Sequence, residues 1–575
     1  MSFDASGIDP RSRARAWSVA AAALALGAAA CASDDSAIEA QAHAEALQLA
    51  DDSEGEGKRP APIAWAACPA DFLAECAWVP LPLDYADPSG PALPIFASRQ
   101  LAASGHATKQ LWLLQGGPGG SGNVFTEVIP LLTAALGPDV DYYVLEHRGV
   151  GESARLGCPE QEAIESEAGT AITPEEWPTC LESLVAEWGD QLAHFTTTND
   201  AHDLAALITR TREPGKQAIV YGISYGTTRA LRFLQAHPDT ADAVILDSIV
   251  SPGVQFLSRY DQQYDQVGKD LAALCAEDEV CGDKLGDDPW AKVSEVLKAL
   301  ANGHCPELGL DVASLRFAST LVSSLELRSH LFPLLYRADR CAPDDVRVVQ
   351  HYFETVSELL TPPQSYDRSS PALQNHVALS EIWEVPAPSQ AELEARCDAQ
   401  TLCPATSTSI GAVYDSWPRY PHDEYVNKWP DAQLPILSLN GTLDPQTPYE
   451  TAKVAAEELT APHQTFVKVP YSPHVVGFAS PVKTPNAPPC GLQLLASFVA
   501  DPTAEVDTSC LDDLVPVSFA VPPEIAQQLF GTEDVWENTA PASELKAAPA
   551  AISRRSLERL RDPQRQPLAP LPLAR

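Results

Sequence analysis

The chain has 575 residues, of which 45% are hydrophobic and 20% are charged. This composition is ordinary for a soluble globular protein and excludes collagen-like, coiled-coil and wholly disordered chains. Lys and Arg number 38 against 78 Asp and Glu, which gives a formal net charge of −40. So strong an acidic excess argues against nucleic acid and against anionic membrane surfaces as partners.

The N-terminal segment is typical of an export signal. An arginine-rich start (RSRAR) precedes the apolar run 17–30, which is too short to span a bilayer as a mature helix. We therefore expect residues 1–30 to be a signal peptide. A signal peptidase would cut near the end of the apolar run, or Cys31 would be the lipidated first residue of a bacterial lipoprotein. The acidic, Ala-rich residues 31–62 are expected to form a flexible tether.

The cysteines favour the same compartment. Setting Cys31 aside leaves an even number of them, in close sequential pairs, as expected for disulfides formed in an oxidising environment. Sequence alone does not fix the connectivity, but pairing of nearest neighbours would give Cys68–Cys76, Cys158–Cys180, Cys275–Cys281, Cys305–Cys341, Cys397–Cys403 and Cys490–Cys510. A zinc site is the alternative, but no CxxC pair occurs, and we predict no metal.

Strand and helix patterns alternate through most of the chain. The predicted strands, in chain order, are 111–114, 142–145, 218–221, 243–246, 436–439 and 466–469. Between the fourth and fifth of these strands the clearest helical patterns are 293–301 and 346–360. Such alternation predicts a mostly parallel sheet covered by helices. We expect core segments at 63–250 and 431–520, a mainly helical cap at 251–430 and a largely disordered tail at 521–575.

A nucleophile motif follows the third predicted strand. Residues 222–226 read GISYG, which matches G-x-S-x-G, and a helical pattern follows. Glycines on both sides of Ser224 permit a sharp strand-to-helix turn that would present its hydroxyl at the top of the sheet. The competing interpretation, an ordinary Gly/Ser loop, does not account for this strand–turn–helix context.

A glycine-rich loop follows the first of these strands. Residues 115–122 read QGGPGGSG, and such a loop brings backbone N–H groups close to a ligand. We predict an oxyanion hole formed by the N–H groups of Gly117 and Tyr225. A phosphate loop is the alternative, but no G-K-[ST] follows and the spacing is not G-x-G-x-x-G. The segment 146–153 (EHRGVGES), after the second strand, is expected to brace this loop through its Arg and glycines.

A serine nucleophile needs a base and an orienting acid, in the order Ser…Asp/Glu…His. Asp444 lies in a loop after the strand at 436–439, and His474 lies in a loop after the next strand. Asp247 is a rival acid, less favoured because the Asp444 loop immediately precedes the strand that carries the histidine. His463 precedes that strand and would lie at the wrong end of the sheet.

Together these segments resemble the α/β-hydrolase serine aminopeptidases related to prolyl and tripeptidyl aminopeptidases. The resemblance rests on LLQGGPGGSG, EHRGVGES, YGISYGT, NGTLDPQTP and a late His near a Cys pair, and it covers roughly residues 65–515. It implies an α/β-hydrolase fold with a helical cap, and cleavage of short peptides from a free N-terminus. In related aminopeptidases acidic cap residues bind the substrate ammonium group. By position Glu381 is a candidate for that role, and so is Glu326.

The sequence thus predicts an exported serine peptidase that acts through Ser224, His474 and Asp444, without a metal or organic cofactor. We expect a short peptide substrate, no nucleic-acid partner, no membrane span in the mature chain, and a lipid anchor if Cys31 is modified. A carboxylesterase that uses the same residues is one alternative. A non-catalytic surface-binding lipoprotein is another, because fold does not guarantee activity.

Overall fold

The computed structural model describes residues 62–69, 72–163, 166, 172–310, 317–359 and 368–537. The predicted signal peptide, Cys31, nearly all of the tether and the end of the predicted tail lie outside the described residues.

One nine-stranded sheet organises the described part of the chain. Its strands are β1 (Ala66–Ala67), β2 (Glu75–Pro82), β3 (Ala92–Gln100), β4 (Lys109–Leu114), β5 (Val140–Leu145), β6 (Gln217–Ile223), β7 (Ala243–Asp247), β8 (Ile436–Gly441) and β9 (Gln464–Val469). Their order is β1-β2-β3-β5-β4-β6-β7-β8-β9, antiparallel from β1 to β5 and parallel from β5 onward. The six strands from β4 onward were predicted from their apolar runs, and the three antiparallel strands were not.

The helices form the outer layers and the cap. They are α1 (Phe125–Leu136), α2 (Trp177–Trp188), α3 (Thr197–Thr211), α4 (Tyr225–Ala236), α5 (Tyr264–Glu277), α6 (Glu279–Leu285), α7 (Pro289–Ala301), α8 (Phe317–Ser323), α9 (Leu331–Arg340), α10 (Pro343–Leu359), α11 (Pro371–Glu381), α12 (Gln390–Asp398), α13 (Thr406–Gly411), α14 (Tyr449–Ala452), α15 (Ala455–Glu458), α16 (Cys490–Ala500) and α17 (Pro523–Phe530).

Helices cover both faces of the parallel strands because side chains alternate along each strand. In β4, Trp112 and Leu114 belong to a hydrophobic cluster that includes residues of α2, α3 and α4. Leu111 and Leu113, on the opposite face, belong to a cluster that includes residues of α1 and α16. Strands β4 to β8 are therefore buried on both faces, which explains why they read as continuous apolar runs, whereas β9 at the edge of the sheet exposes Lys468.

The helices of the segment predicted as a cap lie between β7 and β8, and they do not form a single helical body. Helices α5 to α10 have their own hydrophobic cluster, which also takes in Leu443 next to the predicted acid. Helix α11 instead packs into the cluster of the sheet, through Leu373 and Val377. Leu393 of α12 and Ile410 of α13 belong to that cluster as well, so the boundary predicted for the cap includes three helices with apolar side chains in the core.

The chain from 517 to 537, which we call the strap, corrects the predicted tail. Leu529 and Phe530 of α17 are fully buried in the cap cluster, and Trp536, in the same cluster, has only 3% of its surface exposed. The Arg337 guanidinium of α9 donates to the Val535 carbonyl at 2.6 Å. The expectation of a largely disordered tail from residue 521 is therefore wrong for 521–537. This segment buries its apolar side chains against the cap helices, which are too distant in sequence for a local pattern to reveal.

The structure joins the six neighbouring cysteine pairs as disulfides, namely Cys68–Cys76, Cys158–Cys180, Cys275–Cys281, Cys305–Cys341, Cys397–Cys403 and Cys490–Cys510. They lie in the core, the cap and the C-terminal part of the fold. Among the residues described, no helix combines the length and the apolar character that a membrane span requires.

Candidate active site

Ser224 lies at the turn between β6 and α4, with φ 58° and ψ −126°. This left-handed backbone is uncommon for any residue other than glycine. A Cβ atom at Gly222 would lie 2.2 Å from the Gly226 carbonyl oxygen, and one at Gly226 would lie 2.1 Å from the Leu114 carbonyl oxygen. Both flanking positions therefore require glycine, and residues 222–226 form a tight, strained elbow, which we call the nucleophile elbow. A residue held in such a conformation is common at active sites.

The glycine-rich loop at 115–122, which we call the oxyanion loop, lies directly on this elbow. A Cβ atom at Gly116 would lie 2.7 Å from Ser224 Cβ and 3.0 Å from the Tyr225 backbone nitrogen. The loop is folded on itself, because the Gly120 N–H donates to the Gly116 carbonyl at 3.0 Å. The next residue, Gly117, has φ 114°, a backbone that L side chains rarely adopt. The two predicted donor residues, Gly117 and Tyr225, thus belong to adjoining backbone segments beside Ser224.

The predicted acid and base form a hydrogen-bonded pair. The Asp444 Oδ2 and His474 Nδ1 atoms are 2.8 Å apart, and Asp444 is fully buried. Their loops meet because β8 and β9 are adjacent and parallel, and a Cβ atom at Gly441 would lie 2.1 Å from the Ser472 carbonyl oxygen. With Nδ1 engaged by the carboxylate, the other ring nitrogen of His474 is left for a hydroxyl.

Thr447, which was not predicted from the sequence, completes the surroundings of Asp444. Its hydroxyl donates to Asp444 Oδ2 at 2.7 Å and lies 3.2 Å from His474 Nδ1. The backbone N–H groups of Gln446 and Thr447 donate to the other carboxylate oxygen, each at 2.9 Å. The usable signal was the Asp-Pro-Gln-Thr turn, since an Asp side chain often accepts from the backbone two or three residues on.

Neither rival residue contacts this pair through a hydrogen bond in the described structure. Asp247, at the end of β7, accepts hydrogen bonds from Tyr221 and from the backbone of Val476 and Gly477. His463 is exposed and precedes β9, at the opposite end of that strand from His474.

Glu381 lies at the end of α11, with 4% of its surface exposed. One carboxylate oxygen accepts from Arg232 Nη2 at 2.7 Å, and the other accepts from Tyr420 Oη at 2.7 Å. Both oxygens are therefore engaged within the fold, which favours a structural role over the predicted capture of a substrate ammonium group. The partner arginine is too far away in sequence for any local pattern to have shown the ion pair. For Glu326, the other candidate, Ser324 Oγ donates to the carboxylate at 3.2 Å.

The EHRGVGES segment braces the oxyanion loop, but not through its arginine as predicted. Arg148 is buried in an ion pair with Asp203 and also donates to the Leu83 carbonyl near the end of β2. The contact to the oxyanion loop comes from Glu146, which accepts from Ser121 Oγ at 2.7 Å. Burial raises the pKa of Glu146 to about 7, since the Ser121 hydrogen bond only partly offsets the loss of hydration.

Two groups of side chains in the described residues are close enough together to consider as metal ligands. One joins Asp261 with Cys397 and Cys403, and the other joins Glu307 with Cys305 and Cys341. In both groups the sulfur atoms belong to a disulfide, so neither offers the thiolate that a metal ion binds.

Two family models match the chain. One, described as alpha/beta hydrolase fold, matches residues 111–281, and the other, described as TAP-like protein, matches residues 407–510. The first covers the oxyanion loop and the nucleophile elbow, and the second covers the acid and the histidine.

Curated relatives give a similar result. A tripeptidyl aminopeptidase of Streptomyces coelicolor is 29% identical over 211 residues, which are 33% of this chain and 39% of that protein. The serine protease Hip1 of Mycobacterium tuberculosis is 28% identical over 265 residues, which are 42% of this chain and 50% of that protein. The match thus spans half or less of each relative. Among solved structures, a proline iminopeptidase of Mycobacterium smegmatis aligns with a TM-score of 0.33 at 12% identity, over 74% of this chain and 99% of that chain.

The sheet and the first family model show an α/β-hydrolase fold, which confirms the predicted fold class. More particularly, residues 407–510 are similar to the TAP-like protein family, and the curated relatives that match are serine peptidases, in agreement with the predicted resemblance to prolyl and tripeptidyl aminopeptidases.

Proposed function

We propose that this protein is an exported serine peptidase that cleaves short peptides from a free N-terminus through Ser224, His474 and Asp444. The observation that carries the proposal is the 2.8 Å contact between His474 and Asp444 in a fold whose strained elbow presents a serine. The TAP-like match and the tripeptidyl aminopeptidase relative support the choice of substrate.

In the proposed reaction Ser224 Oγ attacks the scissile carbonyl carbon while His474 takes the hydroxyl proton. The N–H groups of Gly117 and Tyr225 stabilise the resulting oxyanion. The C–N bond then breaks, His474 gives its proton to the leaving amine, and the acyl group stays on Ser224 as an ester. A water molecule, deprotonated by His474, attacks that ester, and release of the acid returns the proton to Ser224. Asp444 orients His474 and stabilises its charged form.

Export is the second part of the proposal. Six disulfides within one chain support an oxidising compartment such as the cell exterior or envelope. The N-terminal signal and the acylation of Cys31 remain predictions from the sequence. Mass spectrometry of the mature N-terminus would distinguish a cleaved chain from one that begins with a lipidated Cys31.

The activity is tested with matched chromogenic substrates. Pro-, Ala- and Ala-Ala-Pro-type arylamides, each with a free and with a blocked N-terminus, are compared with one simple ester. We expect cleavage of the free amides only, abolished in Ser224→Ala and retained in Ser89→Ala, which changes an exposed serine of a turn. Ester cleavage that is indifferent to the amino group would replace the proposal by a carboxylesterase. Absence of turnover together with no labelling of Ser224 by a fluorophosphonate would favour the non-catalytic alternative.

A further inference from the structure

Asp247 is the last residue of β7, and β7 lies between the strand that leads to Ser224 and the strand that leads to Asp444. It is fully buried. Burial of a carboxylate is costly unless the group is paired or well hydrogen-bonded. In the described part of the chain, no ion pair to Asp247 is formed by Lys, Arg or His, so its hydrogen bonds must account for its position.

Those hydrogen bonds reach both sides of the candidate active site. The main-chain carbonyl of Asp247 accepts from the Ser224 N–H at 2.9 Å. Its carboxylate accepts from the N–H groups of Val476 at 2.8 Å and Gly477 at 2.7 Å. These two residues follow His474 by two and three positions. One residue is thus bonded both to the nucleophile and to the backbone that carries the predicted base.

Its neighbours extend the same connection. The Val475 N–H donates to Ser248 Oγ at 2.8 Å, and Ser248 Oγ lies 3.1 Å from Asp247 Oδ1. Three consecutive backbone N–H groups after His474 are therefore held by two consecutive residues of the β7 end. Val475 has φ 64°, an outlier for a β-branched residue. The loop that carries His474 is thus held in a conformation that its own sequence disfavours.

We propose that Asp247 is a positioning residue that fixes His474 relative to Ser224 during the proposed serine-peptidase reaction, on which this inference rests. Both carboxylate oxygens are needed as acceptors, since each receives a backbone N–H. An asparagine in the same place would turn its amide NH₂ toward one of those N–H groups and lose that hydrogen bond. The loop after His474 would then shift, although Ser224, His474 and Asp444 would all still be present.

The test is Asp247→Asn, with Asp265→Asn as the matched control. Asp265 also accepts from two consecutive backbone N–H groups, those of Thr401 and Leu402, but it does so within the cap. Rates are expressed per active site titrated with a fluorophosphonate, so that misfolded protein does not count. We expect kcat of Asp247→Asn to fall by at least about 10-fold with KM within about twofold, since small misplacements of reacting groups are costly. Asp265→Asn should keep the wild-type kcat.

Two further outcomes are informative. If Asp247→Asn does not fold, Ser248→Ala removes the acceptor of the Val475 N–H and one donor to Asp247 Oδ1, and it should lower kcat without changing KM. A kcat per titrated site within twofold of wild type, in Asp247→Asn or in this substitute, would overturn the positioning role. Failure of the proposed function looks different, because the wild-type protein itself would then show no turnover dependent on Ser224.

Discussion

Replacing Gly116 by alanine measures how closely the oxyanion loop lies on the nucleophile elbow. The added Cβ would lie 2.7 Å from Ser224 Cβ, 2.8 Å from the Ile223 carbonyl oxygen and 3.0 Å from the Tyr225 nitrogen. Carbon atoms in contact are normally about 3.5–4.0 Å apart, so the first contact is short by about 1 Å. The elbow is tied to β7 through the Ser224 N–H. The oxyanion loop must therefore move away, together with the N–H of Gly117.

The magnitude follows from what that displacement removes. Loss of one oxyanion donor costs about 10²- to 10³-fold in kcat, whereas overpacking of this kind costs about 1–3 kcal/mol of stability. We expect a folded variant whose kcat/KM on the best peptide arylamide is at least about 100-fold below wild type. A thermal melt and steady-state kinetics measure the two quantities separately.

Gly282→Ala is the control, since its added Cβ would approach nothing closer than 3.0 Å, at the Ala276 carbonyl in the cap. It should keep full activity. If Gly116→Ala retained kcat/KM within threefold of wild type, the placement of the oxyanion loop against Ser224 would not be the one that supports catalysis, and the assignment of Gly117 would have to be abandoned.

Three other changes probe different parts of the molecule. Asp444→Asn should lower kcat by about 10³- to 10⁴-fold, because an amide no longer stabilises the charged form of His474. A fluorophosphonate should label the same number of sites in this variant as in the wild type, but much more slowly. A labelling rate near that of the wild type would contradict the role of Asp444. Burial raises the pKa of Glu146 to about 7 from an ordinary value of 4.5, so the folded state holds its proton more tightly and stability should fall as pH rises from 4.5 to 7. Glu146→Gln should reduce this loss of stability between pH 4.5 and 7 by up to about 3 kcal/mol, as measured by thermal melts across that range. If stability fell with pH as steeply in the variant as in the wild type, Glu146 would not be the cause. Ending the chain after residue 520 removes α17 and should lower the melting temperature strongly, since burial of an aromatic side chain contributes about 3–5 kcal/mol. The control, a chain that ends after residue 537, should keep the melting temperature of the full chain. Equal melting temperatures for the two truncated chains would show that the strap does not stabilise the cap.

Sequence reasoning located the parallel strands and the loops after them for a physical reason. A strand buried on both faces must be apolar along its whole length, so its end is marked where polar or glycine residues begin. The carboxyl ends of adjacent parallel strands meet at one edge of the sheet. Ser224, Asp444 and His474 follow three such strands, which is why their order along the chain was enough to nominate them together.

The antiparallel strands were missed because their local signals point the other way. Residues of β2 and β3 include Pro80 and Pro94, which lie opposite each other in the ladder. Proline inside a run normally argues against a strand. Here the two prolines share one register position near the edge of the sheet, where the missing N–H groups cost little, and only the pairing itself reveals this.

Charged residues were hardest to interpret because their meaning depends on partners distant in sequence. Glu381 reads locally as a solvated carboxylate on a helix, yet Arg232, which neutralises it, lies 149 positions earlier. The same holds for the strap, whose Leu529 and Phe530 read as a short apolar helix before a tail rich in Arg and Pro. Their partners are residues of α9 and α10 nearly two hundred positions upstream. Because Leu443 belongs to that same cluster, the strap, the cap and the loop of the predicted acid share one hydrophobic core. A segment whose composition predicts a disordered tail thus contributes to the surroundings of the candidate active site.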